Sequence, residues 1–281
     1  MACRPLMLLA AAFLAACAGP AAVAPVPRPP LAYRTPTPPT AEYLVGDTAQ
    51  VDLQAAGQKF PLKLAASSHW RMEFRDTADD RLTVTASLLD LAARVSNPMT
   101  ADQTADESSV SGAIVFTLDA RGNSTIVSLP TSSAPAAAQF VSGAAIAYAV
   151  FPALPDRTVA PGDSWSDTLS FNEGTGAGTN VRSVMTYTVV GDTLLGGASY
   201  LLVRTTGTSE QATSGEVSGT DFSQTVSGTT QGRFLWDTRL DMLHSLENQS
   251  DLSGTMMLSI VPVPMDVHVR GLLRVTRAGS P

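Results

Sequence analysis

The feature that most constrains the fold of this chain is a repeated alternation of apolar and polar side chains. In the segment 69–75, Trp70, Met72 and Phe74 alternate with histidine, arginine and glutamate. The same period of two runs through residues 181–189 and 265–276. Because successive side chains of a β-strand point to opposite faces of a sheet, this pattern predicts half-buried antiparallel strands. The chain is therefore predicted to be mainly β.

The segment 134–151 breaks the alternation. Between Ala134 and Phe151, Gln139 is the only strongly polar residue, and Pro152 follows directly. The segment predicts one helix that Ser133 caps. A helix that is apolar all round is buried on more than one side, so we expect a strongly curved antiparallel sheet, a half-barrel or two similar β units, to wrap it. The apolar residues at helical spacing, taken as candidates to face an apolar ligand, are Phe140, Ala144, Ala147 and Phe151.

Two stretches of similar sequence indicate an internal repeat. Residues 111–119 resemble residues 231–237, and residues 74–77 resemble residues 190–193. Such self-similarity is typical of duplicated units, although unrelated hairpins also share turn and strand residues. We expect residues 41–281 to form a single β-rich domain, or two repeated halves, 41–130 and 155–281, that flank the helix.

The first residues of the chain have the pattern of an export signal. Arg4 precedes an apolar run, Leu6–Ala16, which ends in small residues before Cys17. A charged start, a short apolar core and small residues at its end are typical of a secretory signal peptide, here residues 1–16. The run is shorter than the ~20 residues of a membrane-spanning helix.

The segment Leu14-Ala15-Ala16-Cys17 resembles the lipobox of bacterial lipoproteins. The resemblance implies that the Cys17 thiol is acylated with chains such as palmitate and that cleavage makes Cys17 the first mature residue. Ala18, where inner-membrane lipoproteins commonly have Asp, implies an outer-membrane anchor that faces the periplasm. The alternative is an ordinary signal peptide that is cut near Ala18 and Gly19.

Residues 18–40 are rich in proline and alanine. Such a composition favours extended polyproline II structure over a packed core. We expect residues 17–40 to form a lipidated tether of up to about 70 Å at ~3.1 Å per residue.

Composition excludes several classes of function. The only cysteines are Cys3 and Cys17, so the mature chain has no thiol for disulfides, zinc–thiolate sites or cysteine catalysis. The net charge is −7, and Lys59 and Lys63 are the only lysines. This balance disfavours nucleic acid, and it makes acylated Cys17 the expected membrane contact.

A second motif follows the predicted helix. Phe151-Pro152-Ala153-Leu154-Pro155 leads to Pro161-Gly162-Asp163-Ser164-Trp165. The combination resembles an uncharacterised family of mostly-β envelope lipoproteins, which implies an envelope location and β architecture. The residues themselves predict a type II turn at Pro161-Gly162 that leads into a strand carrying Trp165. The alternative is that Trp165 contacts a ligand.

Catalytic and metal-binding patterns are weak. The histidines His69, His244 and His268 are far apart in the sequence, and no Gly-x-Ser-x-Gly motif occurs. The acidic residues at 76–80 and 102–107 fit solvated loops better than a catalytic pair or a calcium loop. We therefore expect no metal, no cofactor and no enzymatic activity.

Three functions remain in order of preference. The first is a non-catalytic, membrane-anchored lipoprotein that binds an apolar ligand, such as a lipid or acyl chain, in a cavity between sheet and helix. The second is a structural or assembly module that binds another envelope protein. The third is an envelope hydrolase, which would need His244 or an acid pair to converge with a nucleophile in a cleft.

Overall fold

The computed structural model describes residues 30–279 apart from 56, 98–100, 139, 141, 174–177 and 218–219. The predicted signal peptide, Cys17 and residues 18–29 of the predicted tether lie outside the described residues. Most of the described chain is β-strand, as the alternation predicts. In the described part of the chain, none of the helices has the length and apolar character needed to cross a bilayer.

A single antiparallel sheet of 12 strands dominates the structure. The strands are β1 (Thr40–Ala55), β2 (Gln58–Asp76), β3 (Leu82–Ser96), β4 (Gln103–Asp106), β5 (Val110–Ser111), β6 (Ile114–Leu118), β7 (Ser124–Ser128), β8 (Thr131–Ser132), β9 (Ser164–Glu173), β10 (Gly178–Leu195), β11 (Ala198–Val217), β12 (Thr220–Asp237), β13 (Met242–Leu258) and β14 (Val261–Arg277). Their order is β7-β6-β3-β2-β1-β14-β13-β12-β11-β10-β9, with β4 beside β3 and with β5 and β8 in a separate pair. The sheet is open, and β7 and β9 are its edges.

The first and last long strands meet in the middle of the sheet. β1 pairs with β2 on one side and with β14 on the other, so that Tyr43 lies opposite Arg277. This contact joins an N-terminal meander, β1 to β7, to a C-terminal meander, β9 to β14. The duplication of the two halves stays a prediction.

The predicted alternation is confirmed, and it defines the two faces of the sheet. On β2, Trp70, Met72 and Phe74 are buried, whereas Arg71 and Arg75 are exposed. We call the side of the sheet that carries these three apolar residues the inner face, and the opposite side the outer face. The apolar residues that the alternation predicts on one face of β10 and β14 lie on one face in the structure. Those that are buried are Val181, Tyr187, Val189, Met265, Val267 and Val275.

Glycines allow neighbouring strands to approach each other closely in the C-terminal half of the sheet. A Cβ atom at Gly254 would lie 1.9 Å from the carbonyl oxygen of Thr225 on the neighbouring strand. A Cβ at Gly228 would likewise lie 2.1 Å from the carbonyl oxygen of Asp251. These distances are shorter than any van der Waals contact, so the close approach of β12 and β13 requires glycine.

The apolar segment folds as two short helices, α1 (Pro135–Ala138) and α2 (Gly143–Val150), rather than as one helix over 134–151. Ser142, and not Ser133, caps α2, because its Oγ accepts a hydrogen bond from the Ala145 N–H at 3.0 Å. The extended backbone of Ser142 interrupts the helical path, as serine at an N-cap does. The predicted packing of an apolar helical segment against a large antiparallel sheet is confirmed, and a curved sheet is compatible with this arrangement.

Helix α2 connects the two edges of the sheet at one end. The Tyr148 ring stacks on Phe171 of β9, with ring centroids 5.7 Å apart. On its other side, α2 packs against β7, where the Ile126 side chain lies 3.7 Å from the Cβ position of Gly143. Because α2 contacts both edge strands, the helical segment covers that end of the inner face.

The start of the described chain packs into the core, so the tether is shorter than predicted. Leu31 and Tyr33 are buried. The Tyr33 ring packs edge-on against Phe151 at 5.2 Å and Trp236 at 5.0 Å, and its hydroxyl donates to the Pro152 carbonyl at 2.8 Å. The prediction that the tether extends to residue 40 is therefore wrong from Leu31 onward. Proline-rich composition disfavours regular structure, but two large apolar side chains gain enough from burial to dock.

Candidate ligand-binding face

The residues predicted to face a ligand lie in or against the main core. Ala144, Ala147 and Phe151 are buried, and Phe140 is half-buried. The Phe151 ring packs against Phe74 and Phe116 with centroids 6.1 and 5.6 Å away. Protein side chains thus surround Phe151. None of the four predicted residues lines the cavity beside α1 or the grooves on the outer face.

The inner face divides into two halves along the length of the strands. The closed half lies under α2 and the segment 31–39 and contains the main core, with Tyr43, Trp70 and Trp236 at its centre. The open half continues along the same strands beyond this cover. Its apolar side chains form a surface that we call the apolar floor, namely Val51, Leu53, Phe60, Leu62, Val226, Leu252, Met256, Val267 and Val269.

Strand register makes the apolar floor continuous across neighbouring strands. Val51 lies opposite Leu62 on one side and Val269 on the other. Val269 in turn lies opposite Leu252. Only Val226, Leu252 and Val267 are buried within the floor, and the other members are half-buried. The open half is therefore an apolar surface in partial contact with solvent.

A polar residue separates the apolar floor from the core. Asp47 projects from β1 on the inner face, between Ala66 of β2 and Leu273 of β14. Burial raises the pKa of the Asp47 carboxyl above its ordinary value. Beyond Leu273 the next residue of this row is Asn248, whose Oδ1 accepts a hydrogen bond from Thr230 Oγ1 at 3.0 Å.

A cavity of 680 Å³ that is widely open to solvent lies beside this row, next to α1. Its walls come from β2, β3, β4, the 3₁₀ turn Glu107–Ser109 and the residue before α1, and most of the lining residues are small. The lining residues are Ala65, Ala66, Ser67, Leu91, Ala92, Ala93, Arg94, Thr104, Ala105, Asp106, Ser109 and Ala134. This volume falls in the range of about 300–1,000 Å³ that is usual for small-molecule sites.

The outer face carries charged and polar side chains together with some apolar ones, such as Leu272. One groove of 640 Å³ is lined by residues such as Gln50, Lys63 and Arg270, and another of 360 Å³ by residues such as Arg204 and Arg233. Cross-strand ion pairs lie along this face, for example Arg270 with Asp52 at 3.0 Å. These paired charges distinguish the outer face from the apolar floor.

The three histidines occupy separate places in the structure. His69 contacts Glu42 at 3.0 Å and His268 contacts Asp251 at 2.7 Å, both on the outer face. His244 is buried, and its ring centroid lies 4.2 Å from that of Tyr200. Burial, together with the nearby Arg277 charge, lowers the pKa of His244, which favours the neutral ring.

A buried ion pair that sequence patterns do not indicate lies close to His244. Asp237 and Arg277 are both buried and 2.8 Å apart. Burial alone would raise the pKa of Asp237, but hydrogen bonds from Arg277 and Arg239 outweigh it and lower the pKa. The buried pair joins the ends of β12 and β14.

The acidic loops are held by local contacts. Asp106 accepts a hydrogen bond from the Ser108 N–H at the start of a short 3₁₀ helix, and Asp102 bonds to Arg94. Across the described ranges, no set of three or more His, Cys, Asp or Glu side chains is arranged to hold a metal ion.

The predicted turn before β9 is confirmed. Gly162 has φ +92°, and the Asp163 N–H donates to the Ala160 carbonyl at 3.0 Å, as in a type II turn. The Asp163 carboxylate accepts the Ala160 N–H at 2.9 Å. Trp165 enters β9 half-buried, and its Nε1–H donates to the Ala153 carbonyl at 3.0 Å. The motif thus connects α2 to β9.

Comparison with protein-family models and with curated proteins finds no match to this chain. Its fold class is a mostly-β structure with one large, open antiparallel sheet.

Proposed function

We propose that this chain is a non-catalytic lipoprotein of the bacterial envelope. It is anchored to the outer membrane on the periplasmic side through acylated Cys17, and it holds an apolar ligand, such as a lipid or acyl chain, on its inner face. The observation that supports this proposal most directly is the apolar floor, half-buried and continuous over β2, β1, β14, β13 and β12, beside the 680 Å³ cavity.

The physical argument rests on the exposed part of the apolar floor. Each 100 Å² of apolar surface that a ligand removes from water is worth about 2.5 kcal/mol before the costs of association. Soluble monomers rarely leave large contiguous apolar patches in water. An extended acyl chain can lie across this surface, because the floor is continuous over neighbouring strands.

The packing of Leu31 and Tyr33 supports a short anchor. Only residues 17–29 remain between the proposed lipid and the described domain. At ~3.1 Å per residue such a segment spans at most about 40 Å. The domain would therefore stay close to the bilayer that holds its lipid.

Ligand binding is tested by introducing an aspartate on either the inner or the outer face of β14. Val269→Asp places a carboxylate in the apolar floor, whereas Leu272→Asp places one on the outer face of the same strand. We expect Val269→Asp to reduce displaceable binding of the dye N-phenyl-1-naphthylamine and co-purifying lipid in native mass spectrometry by about tenfold or more. Equal binding by both variants and the unchanged protein would contradict the proposal.

The anchor is tested separately. Cys17→Ser should release the protein from membranes into the soluble fraction, because no acyl chain can then be attached. Variant protein that still pellets with membranes after a salt wash would show that the domain itself has membrane affinity.

A second function, docking to another envelope protein, is favoured by one observation. At the turn between β13 and β14, Ile260 is 71% exposed, Val263 56% and Met257 40%. Exposed apolar clusters of this kind are typical of interaction sites. Replacing Ile260 and Val263 by Ser should then abolish a specific in vivo cross-link, while Leu194→Ser, an equally exposed change on another hairpin, should not.

A further inference from the structure

We propose that the Asp47 carboxylate binds the head group of the ligand, and that the ligand is an amphiphile with a positively charged amine head and an apolar chain. This inference rests on the proposed function, because it names the chemistry of a ligand held on the same inner face.

Asp47 interrupts an otherwise apolar row. The inner-face residues of β1 are Tyr43, Val45, Asp47, Ala49, Val51 and Leu53. The cross-strand neighbours of Asp47 are Ala66 and Leu273, and those of Ala49 are Leu64 and Gly271. A carboxylate at this position lies at the boundary between the core and the apolar floor.

The carboxylate of Asp47 has no protein partner among the described residues, for which neither a hydrogen bond nor an ion pair to it is found. Two carboxylates of the outer face contrast with it. Asp52 pairs with Arg270 and Glu247 with Arg274, each at 3.0 Å. Half-buried and unpaired, Asp47 bears a desolvation cost that a ligand of opposite charge would offset.

The surroundings of Asp47 leave room for a head group. Ala49, Ala66 and Gly271, which flank it on three strands, have little or no side chain to cover the carboxylate. Ala66 also lines the 680 Å³ cavity. An amine at Asp47 would therefore place its apolar chain either along the floor or into this cavity.

The charge of the head group decides between classes of amphiphile. An ammonium group supplies both a hydrogen bond and a compensating charge, whereas a hydroxyl supplies only a hydrogen bond. A carboxylate head would be repelled. We expect the amine to bind about tenfold more tightly than the alcohol of equal chain length, and the acid to bind most weakly.

The test compares three amphiphiles with one apolar chain. Dodecylamine, dodecanol and dodecanoate compete with N-phenyl-1-naphthylamine for the purified full-length protein near neutral pH. Three proteins are compared, namely the unchanged chain, Asp47→Asn, and Asp52→Asn as the control from the outer face of the same strand. Asn is nearly isosteric with Asp, and circular dichroism checks that each variant keeps its sheet.

The expected result is an amine preference that Asp47→Asn removes, with dodecanol binding retained, and that Asp52→Asn leaves unchanged. Equal displacement by all three amphiphiles, with no effect of Asp47→Asn, would overturn the inference and leave the proposed function standing. Failure of every amphiphile to displace the dye from any of the proteins would overturn both.

Discussion

The closed and open halves of the inner face are formed by the same strands but differ in burial. On β2, Trp70 is 1% exposed in the closed half, whereas Leu62 is half-buried in the open half. Both follow the same alternation and face the same way. The difference arises because α2 and the segment 31–39 cover only one end of the sheet. Alternation therefore determines which face is apolar, and the covering segments determine how much of that face water or a ligand can reach.

The apolar side chains of the closed half are packed in a core, whereas those of the open half remain partly exposed. In the closed half, Phe151 and Tyr33 bring aromatic rings against the sheet and complete a packed core. In the open half, the surface left without such cover is available for binding. A division of this kind predicts that mutations in the closed half mainly reduce stability and that those in the open half mainly reduce binding.

The largest expected effect tests this division by truncation. Phe151→Ala removes a fully buried ring and should lower the free energy of unfolding by about 4 kcal/mol, because the cavity cannot be refilled. Leu62→Ala on the apolar floor should lower it by about 1 kcal/mol or less. Urea unfolding measures both values. Similar losses for the two variants would show that the halves are not energetically distinct.

A smaller effect is expected where β12 and β13 approach each other closely. Gly254→Ala forces a methyl group against the Thr225 carbonyl and should lower the free energy of unfolding by about 2 kcal/mol. Gly46 on β1 has no atom within 4 Å of a Cβ position, so Gly46→Ala should be neutral or slightly stabilising. Thermal unfolding of the pair provides the measurement. A neutral Gly254→Ala would mean that the close approach of β12 and β13 does not depend on glycine.

The smallest expected effect concerns Asp47 at the boundary of the two halves. Its raised pKa means that the folded state binds the proton more tightly than the unfolded state does. Stability is therefore lost as the pH rises from the ordinary pKa of an aspartate through the raised pKa of the folded state, and it is regained as the pH falls. Asp47→Asn should therefore raise the free energy of unfolding near pH 7 by about 1 kcal/mol. The gain should shrink in acid, where the wild-type carboxyl is protonated. A gain that is independent of pH would contradict this explanation.

Short-range patterns predict the sheet well because burial on one face imposes a period of two. The alternation predicts that Trp70, Met72 and Phe74 share the buried face, and all three are buried. The turn at Gly162 was also predictable, because a positive φ favours glycine there. The break between α1 and α2 was not predictable from the apolar composition of the segment. It arises because the Ser142 side chain hydrogen-bonds to the backbone and caps a new helix there.

The candidate site was harder to predict, because it depends on register between distant strands. Nothing local places Val269 beside Val51, and the cavity beside β4 depends on several strands at once. Two signals were nevertheless present in the sequence. Asp47 is the only charged residue in the apolar positions of the β1 alternation, and Tyr33 is the only aromatic residue in the proline-rich segment.

The pairing of β1 with β14 has a consequence for folding kinetics. Tyr43 and Arg277 are partners although almost the whole described chain lies between them. Contacts of such high sequence separation require closure of a very large loop, which slows folding. The pairs of neighbouring strands within each meander can form early, but the pairing of β1 with β14 forms only when β14 is present. If the chain is exported as proposed, the sheet is completed only after that last strand has crossed the membrane.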